Sequence, residues 1–140
     1  MCRAVLPVMV EHGGVIINIG SVSGVVADPT MALYNATKAF VHGLTRSIAV
    51  DHGPGVRCNA VLTGWIMTDM AEAGFALARD PDDARRDAVA RHPAKRLGRP
   101  EDVANTVVWL ASAESAFVTG QCFTVDGGLT AASPLRPELS

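Results

Sequence analysis

Apolar residues along this chain follow two rhythms. Val15-Ile16-Ile17-Asn18-Ile19 is a short, nearly unbroken apolar run after Gly13-Gly14, the pattern of a parallel strand buried on both faces. Residues 56–62 and 122–125 repeat it, the first behind the breaker Gly53-Pro54-Gly55 and the second ahead of the turn Asp126-Gly127-Gly128. The remaining segments carry helical spacing. A helix is expected over 2–11, stopped by Gly13-Gly14, and a long one over 32–52, with Leu44 and Ile48 on one side and Tyr34 and Lys38 on the other. Residues 68–78 also read as helix. Asp80-Pro81-Asp82-Asp83 starts another, with an aspartate cap, proline in the first turn and acids at the positive end of the dipole. Arg99-Pro100-Glu101-Asp102 opens the last, whose apolar stripe is Val103, Val107, Leu110 and Ala111. Strands alternating with crossovers of this length imply an α/β fold with about three parallel strands and flanking helices. Residues 1–132 are expected to form that domain and 133–140, with two prolines, a C-terminal tail.

Within this frame one constellation carries chemistry. Tyr34 and Lys38 follow Ser21 by 13 and 17 residues, and Ser21 closes the first strand. Catalytic groups of open α/β sheets sit at the carboxyl ends of strands. Tyrosine and lysine four apart share one helix face, about 6 Å apart along the axis. An ammonium beside a phenol favours the phenolate, and a tyrosine so tuned exchanges a proton with a carbonyl or an alcohol. Taken alone, Tyr-x-x-x-Lys more often marks a surface tyrosine lying on a lysine stem. Ser21 is placed to bond the same substrate oxygen if the loop from Gly24 to Leu33 folds back over the helix start.

In these residues the sequence resembles the short-chain dehydrogenase/reductase family. Ile17-Asn18-Ile19-Gly20-Ser21-Val22-Ser23-Gly24 is similar to that family's fifth strand and catalytic serine, and Tyr34-Asn35-Ala36-Thr37-Lys38-Ala39 to its Tyr-x-x-x-Lys helix. Val56-Arg57-Cys58-Asn59-Ala60-Val61 and Gly64-Trp65-Ile66-Met67-Thr68 resemble the sixth strand and the loop that closes on nicotinamide. The stretch from Arg96 to Ala104, with Thr119-Gly120-Gln121 and Val125-Asp126-Gly127-Gly128, resembles its closing helix and last strand. The resemblance implies the C-terminal part of a Rossmann-like doubly wound parallel sheet. It also implies NAD or NADP as cofactor, a small alcohol or carbonyl substrate, and a homo-oligomer in the full-length form. By it, Ser21, Tyr34 and Lys38 are catalytic, and Tyr34, Lys38, Gly64 and Thr68 contact the cofactor. Thr68 has a second reading as a helix cap. Thr63 departs from the usual Pro-Gly, which loosens that turn.

The glycine-rich turn that holds a dinucleotide pyrophosphate is not found. Gly53-Pro54-Gly55-Val56-Arg57-Cys58 fails at its third position and precedes a strand instead of following one. The expectation is therefore a truncated chain, or one whose Met1 lies inside a longer gene, inactive alone. The rival reading is a catalytically inactive remnant, an interaction module pairing with a full-length relative. A serine hydrolase is set aside, because the Gly-x-Ser-x-Gly elbow would have Val22 at its centre.

Composition narrows the remainder. With 12 basic and 14 acidic residues, no basic cluster suggests nucleic acid, and no apolar stretch suits a signal or a membrane span. Cys2, Cys58 and Cys122 form neither a metal motif nor a disulfide framework, which points to a cytoplasmic protein. His12, His42, His52 and His92 lack metal-ligand spacing and read as surface or packing residues. Asn18 and Asn59 read as structural amides satisfied by backbone, and Trp65 and Met70 as core or as flanks of a substrate loop.

Overall fold

The apolar runs do become strands, and helices pack against the first two of them. In the computed structural model, which describes residues 1–132, helix α1 (Cys2–His12) leads through Gly13 at φ 80 into strand β1 (Gly14–Ser21). A 3-10 turn, Val22–Gly24, and a loop lead to helix α2 (Ala32–His52) and then strand β2 (Val56–Thr63). Helices α3 (Asp69–Ala76), α4 (Pro81–Arg91) and α5 (Pro100–Ala111) follow. A second 3-10 turn, Ala113–Ser115, precedes strand β3 (Cys122–Val125). The proposed tail, 133–140, lies outside the described residues.

The sheet is parallel throughout, in the order β1-β2-β3, with Ser21 opposite Thr63 and Thr63 opposite Val125. This is an α/β fold, a three-stranded parallel sheet with flanking helices. Side chains alternate across each strand. On one face Val56 and Cys58 meet Ile48 and Ala49 of α2, with Leu6 and Met9 of α1 packed behind. On the other, Arg57 reaches the end of α5, where Leu110 is wholly buried. A second cluster, Phe75, Ala88 and Leu97, joins α3 to α4 and the segment after it.

Three readings shift. The first strand starts one residue earlier than the apolar run, at Gly14, and the second runs one residue further, to Thr63. The third helix is shorter than 68–78, with Thr68 as its cap. Ala111 is exposed and leaves the α5 stripe, because the helix ends there against Ser112. The two 3-10 turns give no periodic signal and were not read. Among the described residues, no helix is long and apolar enough to cross a membrane.

Candidate active site

Ser21 arrives at the carboxyl end of β1, directly before the 3-10 turn, and is 5% exposed. Its hydroxyl caps that turn by accepting the Ser23 N–H at 3.1 Å, and it donates to Ser23 Oγ at 3.1 Å. Ser23 Oγ in turn donates to Asp28 Oδ2 at 2.6 Å. Asp28 is itself tied to the start of α2, where its carbonyl accepts from Asn35 Nδ2 at 3.2 Å and from the Met31 N–H. Between them Thr30 takes φ 66, a costly conformation for a β-branched residue. The loop thus folds back over the helix start, as the serine reading required.

Gly24 makes this docking possible. A Cβ there would lie 2.8 Å from Ala39 N and 2.8 Å from Lys38 C, so only glycine lets the turn rest on the α2 backbone. His42, one turn beyond Lys38, fills the space beneath, its ring against Gly20 and Gly24. Burial, reinforced by the charges of Arg46 and Lys38, pulls its pKa below the usual imidazole value. Its Nε2 has no hydrogen-bond partner. The packing reading of this histidine holds.

Tyr34 lies in the first turn of α2, 38% exposed. The Lys38 ammonium sits 5.5 Å from the Tyr34 ring centroid and donates to the Ile19 carbonyl at 3.2 Å. That bond ties the helix to the end of the strand and gathers Ser21, Tyr34 and Lys38 at one end of β1.

Gly64 and Thr68 lie on the loop after β2, with separate duties. The Gly64 N–H donates to the Val125 carbonyl at 3.0 Å, and a Cβ would stand 2.9 Å from Asp126 Cα, so glycine is needed where two chains pass closely. Thr68 Oγ1 accepts the Ala71 N–H at 3.3 Å, which is the cap reading; its own proton remains for another acceptor. Thr63, the residue in doubt, is held in the ladder on both sides. Trp65 stacks on Phe75 at 5.3 Å while staying 43% exposed. With Val22, Asp28, Arg91 and Thr130 it lines a cavity of about 290 Å³ beside the serine turn.

These donors suit one end of a nicotinamide dinucleotide. Lys38 spends one proton on Ile19 and has two more to donate, and Tyr34 and Thr68 offer neutral donors. A pyrophosphate instead wants N–H groups at a helix start that follows a strand through a glycine-rich turn. Among the described residues, none has that form. No group of three potential metal ligands is found among them either.

The reading of single residues missed Ser23, Asp28 and Asn35. One signal was available: Asp28 is the only acidic residue between Glu11 and Asp51.

Known proteins match this chain along most of its length. The family described as enoyl-(acyl carrier protein) reductase matches residues 1–130. A 2-(S)-hydroxypropyl-CoM dehydrogenase of Xanthobacter autotrophicus is 47% identical over 133 residues, covering 92% of this chain and 51% of that protein. The ligand-free aldohexose dehydrogenase of Thermoplasma acidophilum superposes with a TM-score of 0.91 at 35% identity, over 96% of this chain and 55% of that one. A gluconate 5-dehydrogenase of Burkholderia cenocepacia, solved with NADP and tartrate, gives 0.84 at 36% identity, over 94% and 51%. The chain spans about half the length of the curated relatives it matches. Matched across nearly all its residues in both sequence and backbone, this chain belongs to the short-chain dehydrogenase/reductase family of oxidoreductases.

Proposed function

We propose that the chain supplies the catalytic and nicotinamide-side part of an NAD(P)-dependent alcohol dehydrogenase or carbonyl reductase acting on a small molecule. The observation that carries this is the Lys38 ammonium, shared between the Ile19 carbonyl and the Tyr34 ring at the strand end that presents Ser21. When bound, the nicotinamide accepts or supplies the hydride at the substrate carbon. Tyr34 takes the alcohol proton as the carbon–oxygen double bond forms, and returns it to the oxygen in the reverse direction. Lys38 sets its ammonium beside the Tyr34 ring and would hold the ribose with its remaining protons. Ser21 bonds the substrate oxygen and orients it toward Tyr34. Gly64 and Thr68 bring the loop after β2 against the nicotinamide.

In this reading the pyrophosphate end is held by protein outside the described residues. The 140-residue chain alone is therefore expected to bind neither NADH nor NADPH measurably, which calorimetric titration checks. Turnover is tested in a chimera carrying the N-terminal half of the 47% identical Xanthobacter relative ahead of Met1. There Tyr34→Phe is expected to lower kcat about 10²–10⁴-fold with cofactor affinity nearly unchanged. Turnover within a few-fold of the parent would refute the assignment.

A second reading, an inactive partner of a longer relative, is supported by two observations. Leu33 and Phe40 of α2 are 85% and 66% exposed, and among the described residues β1 is an edge strand. Sedimentation of the purified chain alone and with such a relative decides it. Neither reading calls on a membrane, and both suit the cytoplasm.

A further inference from the structure

Gly20 and Gly24 bracket the Ser21-Val22-Ser23 turn, and one side chain lies against both. A Cβ on Gly20 would stand 3.0 Å from His42 Nε2, and one on Gly24 2.5 Å from His42 Cε1. The edge of the imidazole therefore fills the space under the turn. His42 is 6% exposed, and its Nε2 is buried without a hydrogen-bond partner. A neutral ring tolerates that place, whereas an imidazolium carries an N–H on both nitrogens and needs an acceptor for each. The surroundings are cationic as well. Lys38 and Arg46 stand four residues before and after His42 on α2, while β1 carries no charged side chain. Asp28, in the loop after the turn, is bonded to Ser23, and Arg57 of β2 is spent on the end of α5. Burial first, then Arg46 and Lys38, hold the His42 pKa below the ordinary imidazole value, and the Ser21 backbone opposes this only in part.

Resting on the oxidoreductase reading above, we infer that His42, as a neutral imidazole, is a positioning residue that seats the Ser21 turn on α2, and that a proton taken up by the ring releases the turn. One helix then sets all three groups of the site. It carries Tyr34 and Lys38 directly, and through the next residue on that face, His42, it fixes where Ser21 stands beside them. The ring binds a proton more weakly under the seated turn than away from it. Seating is therefore complete above the ordinary imidazole value of about 6.5 and is lost as pH falls further.

Amide hydrogen exchange of the 140-residue chain reads the turn itself, through the Ser23 N–H held by Ser21 Oγ and the Val25 N–H held by the Val22 carbonyl. Corrected for intrinsic rates, their protection is expected to be level above about pH 6.5 and to fall below it by up to about tenfold per pH unit, the limit for one proton. His42→Gln and His42→Leu do not titrate, and whichever of them folds should show level protection throughout. Protection in the parent that ignores pH overturns the inference, as does a fall that persists in these variants. In the chimera, the ratio of the parent kcat to that of Ser21→Ala reads the consequence. It is expected to be about 10²-fold above pH 6.5, the worth of one hydrogen bond to developing charge, and to shrink toward one on acidification. With His42→Gln in both chains the ratio should no longer depend on pH. A histidine acting only by its charge on Tyr34 would slow parent and Ser21→Ala alike; a ratio level with pH in the parent therefore also overturns the inference. The exchange measurement needs no turnover, so its outcome stands apart from the Tyr34→Phe test of the reaction.

Discussion

The two sides of β2 solve the same problem, buried polar groups, in opposite ways. Toward the end of α5 the buried polar groups are paired. The Arg57 guanidinium donates to the carbonyls of Leu110, Ser112 and Val118 at 3.0, 3.1 and 3.3 Å and to Ser115 Oγ at 3.2 Å, closing the end of α5. Wholly buried Asn59 donates to the Val118 carbonyl and accepts the Gln121 N–H, as its structural reading anticipated. Toward the β1 exit, buried polar atoms are left over. Asn35 Oδ1 and His42 Nε2 have no partner, and Ser21 keeps an acceptor position free. Native interiors rarely leave such atoms unpaired. Two of the three such side-chain atoms among the described residues lie beside Tyr34 and Lys38, and the third, His92 Nε2, lies by Gly127 beyond β3.

If the paired side is what holds the fold, Arg57→Ala should produce the largest loss of stability, about 3 kcal/mol or more, because charged hydrogen bonds are lost and buried carbonyls are left bare. Urea unfolding monitored by circular dichroism measures this. Arg57→Lys should recover only part of it, since an ammonium lacks the planar fork.

On the site side the comparison predicts a smaller stability cost with a larger functional one. Gly24→Ala forces a Cβ against the backbone of Lys38 and Ala39, so the serine turn must lift from α2. A loss of about 1–3 kcal/mol is expected. Turnover of the chimera should fall by more than that stability loss explains; activity near the parent's would show that the turn need not sit on the helix.

Cysteine reactivity sharpens the contrast at little cost to the fold. Burial, with a contribution from Cys2, pushes the Cys58 thiol up to about 11. At pH 8 about one part in a thousand is then thiolate. Ellman's reagent should register half-buried Cys2 first and Cys58 only after denaturant is added.

The smallest effect belongs to the surface. The Arg96 guanidinium, bonded to Asp102 at 2.6 and 2.9 Å, and then the Arg99 N–H hold the Asp102 carboxyl well below the usual carboxylate range. A depressed carboxyl pKa stabilises the folded state fully above the ordinary aspartate value of about 3.9 and loses that contribution as pH falls further. The Tm difference between parent and Asp102→Asn should therefore be small at pH 7 and shrink below about pH 4. A difference that grows on acidification would reverse the assignment.

Much of this molecule was legible in its sequence, for a physical reason. Hydrogen bonds in strands and helices follow backbone periodicity, so apolar runs and helical stripes located β1, α2, β2 and β3 to within a residue. The i, i+4 spacing alone set Tyr34 and Lys38 on one face. Glycine and aspartate punctuation likewise announced the caps at Gly13 and Asp80. Tertiary structure decided what no period encodes. Arg57 meets partners more than 50 residues ahead, and Asn59 reaches Gln121 across two strands. The Ser21–Ser23–Asp28 chain depends on an irregular loop returning to a helix it precedes. Spacing along a chain specifies which side chains share a face. Which of them share a proton is decided only when distant backbone closes around them.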